Sequence, residues 1–327
     1  MAELFPSQQQ QQQQPIGQVE FTQLGAKSFG ERLGDGLKAV WHALTINSKV
    51  AAGSVIVLIF LLVAVFGPVF VPASANAISH NGSLSPSSAH WLGTTSLGQD
   101  IFGQLILGTQ TSVLWGFFSG LLVTVLSIVI GLVGGYFGGV VDEILSFVTN
   151  VFLVLPGIPL MLVLASYVPP GSLTIALVVA GTSWAFGARM LRAQTLSMRS
   201  REFVTAARSN GESTARVIFY EIFPNQLSLV AANFVSTMIQ VILAFATLQF
   251  LNLGDSLQAS WGGMLYWANS QNALLAGQWW WFVPPGACIA VLGAGLSLIN
   301  FGIDEVADPR LRSEPKIKVP KIKKAVA

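Results

Sequence analysis

An all-α integral membrane protein is what this sequence predicts, and three observations carry the prediction. Of its 327 residues, 52% are hydrophobic and only 10% are charged, where a soluble domain carries about 25% charge. The mean hydropathy is +0.62. The ionisable residues are gathered into short stretches, leaving uncharged runs long enough to cross a bilayer. A charge at mid-membrane costs about 2.5 to 3.5 kcal/mol, while ~20 apolar residues span the hydrocarbon.

Those runs predict six transmembrane helices. Residues 50–71 supply the first. Within the uncharged run 101–141, the apolar part at 112–134 supplies the second. The run 144–188 holds 45 residues without a charge, too many for one crossing, and "YVPPGS" at 167–172 divides it into a hairpin of two helices. The fifth span runs over 227–250 and the sixth over 280–301. Four of the 17 Lys and Arg residues precede the first span, six lie from Arg189 to Arg216 and seven follow Gly302, while the three segments on the other side hold none. Positive residues collect on the cytoplasmic side, so both termini are expected there, as an even number of spans requires.

This divides the chain into four parts. Residues 1–49 form a polar cytoplasmic tail with seven consecutive glutamines at 8–14, a composition that cannot bury enough apolar area to fold. Residues 50–110 hold the first span and an outer segment, 111–301 a core of five spans, and 302–327 a basic cytoplasmic tail suited to anionic lipid. "ASANA" at 73–77 offers a signal-cleavage pattern, but the apolar run before it exceeds a signal core and begins about fifty residues into the chain, which predicts an uncleaved anchor. A single cysteine, Cys288, excludes an intrachain disulfide.

Several smaller features have structural readings. His80 and His90 lack further ligands and are expected at the surface rather than on a metal. Asn81 starts an Asn-x-Ser pattern too common to carry weight. Trp279, Trp280 and Trp281, with Trp261 and Trp267 before them, are expected to anchor the mouth of the sixth span at headgroup level, or else to stack on a sugar or peptide. Gly131, Gly135 and Gly139 stand four apart, a spacing that lets two helix backbones approach closely in lipid. Pro156 and Pro159 are expected to kink the third span. In the fifth, Asn233, Thr237, Gln240, Ala244 and Thr247 fall on one helix face, and the stripe either lines a wet pathway or bonds neighbouring helices.

The odd passage is "REFVTAARSNGESTARVIFYEIFPN" at 201–225, polar and charged between two apolar runs. Ser200 can cap a helix there, with Glu202 in the first turn where a carboxylate suits the dipole. The helix is expected to run to Asn210 and stop at Gly211. Ser213 or Thr214 then begins a second helix, and Pro224 marks the start of the fifth span. Ala206, Ala207 and Gly211 leave a face with almost no side-chain bulk, while Arg201, Arg208 and Glu202 can set register by charge. One reading is a helix that docks on a partner; the other is a basic loop that fixes topology.

The passage resembles the cytoplasmic signature of permease subunits of binding-protein-dependent ABC importers: two alanines, three residues, a glycine, and a proline thirteen residues on. Glu202, four residues before Ala206, is similar to the dipeptide, oligopeptide and nickel subclass. "HWLGTTSLGQD" at 90–100, "GYFGGVVDE" at 135–143, "SWGGML" at 260–265 and "ADPR" at 307–310 agree. The resemblance implies a type I importer permease that pairs with a second permease around a shared pathway, with an outer binding protein delivering substrate. The coupling helix near 200–212, carried by Glu202, Ala206, Ala207, Arg208 and Gly211 with Pro224 beyond it, would dock on one of two ATP-binding subunits. Asn233, Thr237, Gln240 and Thr247 become pathway candidates. The resemblance implies di- or oligopeptides as the cargo; because Gln99, Gln104, Gln110, Asn150 and Glu221 depart from the family pattern, oligosaccharides or a metal chelate are the alternative.

No glycine-rich loop ending in Gly-Lys-Ser/Thr occurs, so the chain is expected to be non-catalytic, with ATP and Mg held by partner subunits. An ion-coupled secondary transporter is the rival of another class, but it generally needs ionisable residues inside the membrane, and Asp142 and Glu143 sit at a boundary. An intramembrane serine protease would need a base, and all three histidines lie outside the spans. Membrane lipid is an expected partner and nucleic acid is not.

Overall fold

A computed structural model describes residues 48–307 except 73–76, 80–81 and 256–257, with side chains described as far as Ile303. The two tails, His80 and Asn81 lie outside the described residues. The helices are α1 (Ser48–Phe70), α2 (Ile101–Phe137), α3 (Gly139–Val154), α4 (Gly157–Ser166), α5 (Ser172–Ser183), α6 (Ala185–Arg199), α7 (Glu202–Ser209), α8 (Leu227–Phe250), α9 (Trp261–Ser270) and α10 (Trp279–Ala307). A single turn (Thr214–Arg216), a π-helical turn (Val217–Ile222) and a 3-10 turn (Phe223–Gln226) lead into α8.

Four segments are long and apolar enough to cross a bilayer: Ser48–Phe70, Ile101–Phe137, Thr214–Phe250 and Trp279–Ile303. Two bent pairs, α3 with α4 and α5 with α6, turn by 93° and 42° at their breaks and bring the number to six. Helices are the form such segments must take, because lipid offers no partner to an open backbone N–H or C=O. The sharper bend falls at Pro156: Leu155 before it is extended, with φ −67 and ψ 135, the conformation that a following proline enforces. At the gentler one, Ser127 Oγ donates to the Trp184 carbonyl at 2.8 Å, and a side chain inserted beside the helical ladder bends it.

The second span differs from expectation. It begins at Ile101, so the boundary expected between residues 110 and 111 falls inside an unbroken helix of 37 residues. Such a helix is about 55 Å long, nearly twice the ~30 Å of hydrocarbon. Its start is fixed by Asp100, whose Oδ2 accepts from the Gly103 N–H at 2.8 Å while Oδ1 meets His90 Nδ1 at 3.0 Å. The outer motif at 90–100 is thus a folded cap on α2.

Around α2 the bundle assembles, with α6 on one side and α8 and α1 on others. The α2–α6 seam depends on missing side chains. A Cβ on Gly131 would lie 2.8 Å from Leu191 Cβ, and one on Gly135 would lie 2.6 Å from Thr195 Cβ. Gly139 behaves differently. It has φ +55 with nothing within 4 Å of an added Cβ, because it turns the chain from α2 into α3 rather than packing two helices.

The tryptophans also divide. Trp261 and Trp281 are buried, whereas Trp267 and Trp279 are exposed, so the five do not form one headgroup cluster. Trp261 fills a hollow under α9: its Nε1 donates to Thr109 Oγ1 at 3.3 Å and its backbone N–H to Ser112 Oγ at 3.0 Å. Gly262 beside it brings α9 onto α8, where a Cβ would sit 2.3 Å from the Ala246 carbonyl oxygen. Ser260 caps α9 by accepting from the Gly263 N–H at 3.0 Å.

Candidate functional site

The polar passage folds as an elbow between α6 and α8. Its first helix starts one residue later than expected: Arg201, extended at φ −75 and ψ 153, is the N-cap and makes no side-chain capping bond. Ser200 instead closes the preceding helix, its Oγ donating to the Ser197 carbonyl at 3.4 Å, because α6 continues to Arg199. Glu202 lies in the first turn of α7. Gly211 stands at φ +80, and the Gly211 and Glu212 N–H groups donate back to the Arg208 and Ala207 carbonyls at 3.0 and 3.2 Å. A left-handed residue that returns these bonds closes a helix without a Cβ clash. Ser213 Oγ then accepts from the Arg216 N–H at 3.4 Å and starts the next turn.

Pro224 lies within the helical run Thr214–Phe250 rather than at its start. A proline removes one helical donor, and the run accommodates the loss by passing from π turns at Val217–Ile222 to a 3-10 turn at Phe223–Gln226. Changes of helical register like this are uncommon and gather at functional positions.

The elbow has an inner and an outer face. Val204, Ala207, Val217, Ile218 and Ile222 are buried against Leu132 of α2 and Met198 of α6. Ala206 faces outward, so the alanine pair does not lie on one flat surface: neighbouring helical residues point about 100° apart, and Ala207 serves the inner cluster. Outward with Ala206 stand Glu202, Arg208 and Gly211, together with Phe203, Phe219 and Tyr220. Sequence alone does not single these aromatics out, since Val204, Val217, Ile218, Ile222 and Phe223 are also apolar in the same charged stretch; the available signal is their aromatic character, which Phe223 shares. No side chain covers Gly211, around which nothing lies within 4 Å of an added Cβ.

A second group of polar residues lies above the elbow. Arg189 and Arg192 belong to α6 inside the bent fifth-and-sixth helix pair, not to a cytoplasmic loop. Arg192 holds Asp142 of α3 through two hydrogen bonds, Nε to Oδ1 and Nη2 to Oδ2, the latter at 2.7 Å. Arg189 Nη2 donates to Asn150 Oδ1 on the same neighbour. Arg199 reaches the Gly135 and Tyr136 carbonyls at 3.4 Å, a cation at the negative end of α2.

The stripe on α8 changes character along its length. Asn233 is buried, Thr237 and Thr247 are half-buried and Gln240 is exposed. Asn233 Nδ2 would lie 2.8 Å from a Cβ on Gly187, in the seam between α2, α6 and α8. Thr247 Oγ1 bonds its own helix, at the Leu243 carbonyl, at 2.7 Å. At the opposite end of the molecule a cavity of about 390 Å³ is lined by Gln99, Gln104, Gln249, Asn252, Gln258 and Gln271 among others. Among the described residues no group of three or more His, Cys, Asp and Glu side chains could hold a metal ion.

Residues 127–313, which include the elbow and both bent helices around it, match the family described as "Binding-protein-dependent transport system inner membrane component". The chain belongs to that family. It is similar to the probable D,D-dipeptide transport system permease protein DdpC of Escherichia coli K12, 32% identical over 282 residues that cover 84% of this chain and 92% of that protein. The dipeptide transport system permease protein DppC of Bacillus subtilis is 31% identical over 274 residues, 83% of this chain and 85% of the other. The oligopeptide transport system permease protein OppC of the same organism is 30% identical over 271 residues, 81% and 87% of the two chains. The protein is therefore an inner-membrane, multi-pass permease subunit of a binding-protein-dependent ABC importer with the all-helical fold of that family.

Proposed function

We propose that this permease carries di- or oligopeptides inward, forming the pathway with a second homologous permease. Two ATP-binding subunits, which hold ATP and Mg, drive it, and an extracytoplasmic binding protein supplies it. The peptide cargo is supported by what the similar permeases are named for. Coupling is supported by one observation above others: the elbow is anchored by a buried apolar inner face yet leaves Phe203, Ala206, Arg208, Phe219 and Tyr220 exposed. Aromatic and arginine side chains are enriched where proteins bind one another. Glu202 and Arg208 supply charge for register, Gly211 an unobstructed end, and Pro224 the change of helical register that joins the elbow to α8.

In this reading ATP binding closes the two ATPases and the elbow moves with them. Its inner face is packed on α2 and α6, so the spans tilt and the pathway opens outward; hydrolysis reverses the motion. Exposed Gln240 faces the pathway with Thr237 and Thr247, and buried Asn233 belongs to the seam beneath it. Lys and Arg placement supports a cytoplasmic position for the elbow and both termini. Purifying the assembly through a tag on this chain, then identifying its protein and ligand components by mass spectrometry, tests the whole: a second permease, two ATPases and bound peptide are expected. Recovery of the chain alone, active with an ion gradient, would overturn it.

A further inference from the structure

The cavity at the end opposite the elbow has the construction of a binding site. It lies where α2 begins and α8 ends, and its volume of about 390 Å³ falls in the ~300–1,000 Å³ range of small-molecule pockets. Two of its lining residues are buried: Gln249 is 4% exposed and Trp281 3%. Gln249 Oε1, an acceptor, and Trp281 Nε1, a donor, are both buried without a hydrogen-bond partner, an arrangement that folded proteins seldom leave unmet. Asn252, Gln258 and Gln271 are exposed, so the cavity reaches the surface on their side. Two of the lining amides are held in place, Gln104 by donating from Nε2 to Gln99 Oε1 at 2.9 Å and Gln258 by accepting from Ser172 Oγ at 3.2 Å.

What fits follows from the groups present. A side-chain amide both donates and accepts, as does a peptide group, so a lining of amides suits a peptide backbone whatever its side chains. Charge narrows the choice. Asp255 is the one carboxylate among the described lining residues, and no Lys, Arg or His lines the cavity with it; the chain has no Lys or Arg between residues 50 and 188 or between 217 and 309. A cleft with charge of one sign favours a ligand of the other, here an ammonium rather than a carboxylate. A carboxylate accepts at about four sites, so it can take an ammonium beside other partners. Gln258 and Ala259 also line a second, more open hollow with Gln110, Thr111 and Trp115, which gives a chain entering by its amino end room to extend.

We propose that this cavity binds the amino-terminal end of a peptide, with the α-ammonium on Asp255 and the first peptide groups on the lining amides. This rests on the peptide-import reading above, in which the end opposite the elbow is the one that receives cargo from the binding protein.

The experiment uses the full importer with its binding protein in lipid nanodiscs and a photoreactive tripeptide, Ala-photoleucine-Ala, whose attachment sites are mapped by mass spectrometry. Label is expected on the binding protein and, in this chain, on the cavity residues between 249 and 281; excess trialanine should remove it and maltotriose should not. Asp255→Asn should lower the cavity label about ten-fold, the loss of a hydrogen bond to a charged group, without changing the label on the binding protein, and Asp255→Glu should keep part of it. The N-acetylated probe, which has no ammonium, should lose nothing further in Asp255→Asn. An equal fall for both probes would mean that Asp255 only shapes the cavity, and an undiminished label in Asp255→Asn that it does not hold the ammonium; either overturns the proposal. Displacement by maltotriose would overturn it in favour of a sugar. Label on the binding protein with none in the cavity would overturn the site and leave peptide import standing, whereas no label on any subunit would overturn the peptide reading and the site with it.

Discussion

The α2–α6 seam and the cytoplasmic elbow are built from the same small residues and use them in opposite ways. In the seam the space left by Gly131 and Gly135 is filled from within the chain: added Cβ atoms would meet Leu191 and Thr195 at 2.8 and 2.6 Å. At the elbow the space beside Gly211 is filled by nothing within 4 Å, and Ala206 faces outward. A glycine's neighbours, not its spacing, separate a residue that holds the fold from one left open to a partner.

The largest expected effect breaks the seam. Gly135→Leu should destabilise the subunit by about 3 kcal/mol or more, since overpacking against a backbone carbonyl and a β-branched side chain has no cheap relief. The loss of monodisperse protein in detergent, with a lower Tm, checks this; Gly211→Asn, whose side chain tolerates the left-handed region, should keep both. If the two variants behave alike, the contrast fails.

Next in size is the ion pair that ties α3 to α6. Asp142→Ala leaves the half-buried Arg192 without its carboxylate, and a cost of about 2 kcal/mol, between the values for exposed and buried pairs, should appear as a lower Tm. Arg192→Lys, which loses the two-pronged geometry, should cost less.

The elbow is tested by function rather than stability. Gly211→Glu should leave the protein inserted and assembled but abolish substrate-stimulated ATPase activity, against the Gly211→Asn control for backbone strain. Normal stimulation in the Glu variant would remove the elbow from coupling. The smallest effect is expected at Gln240→Leu, a several-fold fall in uptake at equal expression. Unchanged uptake would assign this exposed side chain to helix packing or lipid.

Much of this was legible in the sequence. The spans could be read because the free energy of placing a residue in hydrocarbon is local and nearly additive, and so could the closure at Gly211 and the start at Ser213, which follow from single-residue chemistry. That Arg189 and Arg192 lie within α6 and bond to α3 was not legible, because a contact across the bundle has no local signature. The direction of Ala206 against Ala207, and the burial of Trp261 and Trp281, escaped for a related reason. Tryptophan's preference for interfaces is an average over environments, and here Thr109 and Ser112 offered Trp261 a polar niche inside the bundle.

By itself the sequence determined that this chain lives in a bilayer as helices and carries a charged elbow between apolar spans, since composition and local propensity act residue by residue. Only the tertiary structure decided which glycines meet a neighbour, which tryptophans are sealed in, and that Arg192 meets a carboxylate while Arg189 meets an amide. Those outcomes depend on helix phase and on what lies across the gap, and residues 50 positions apart, such as Asp142 and Arg192, become neighbours only when the bundle closes.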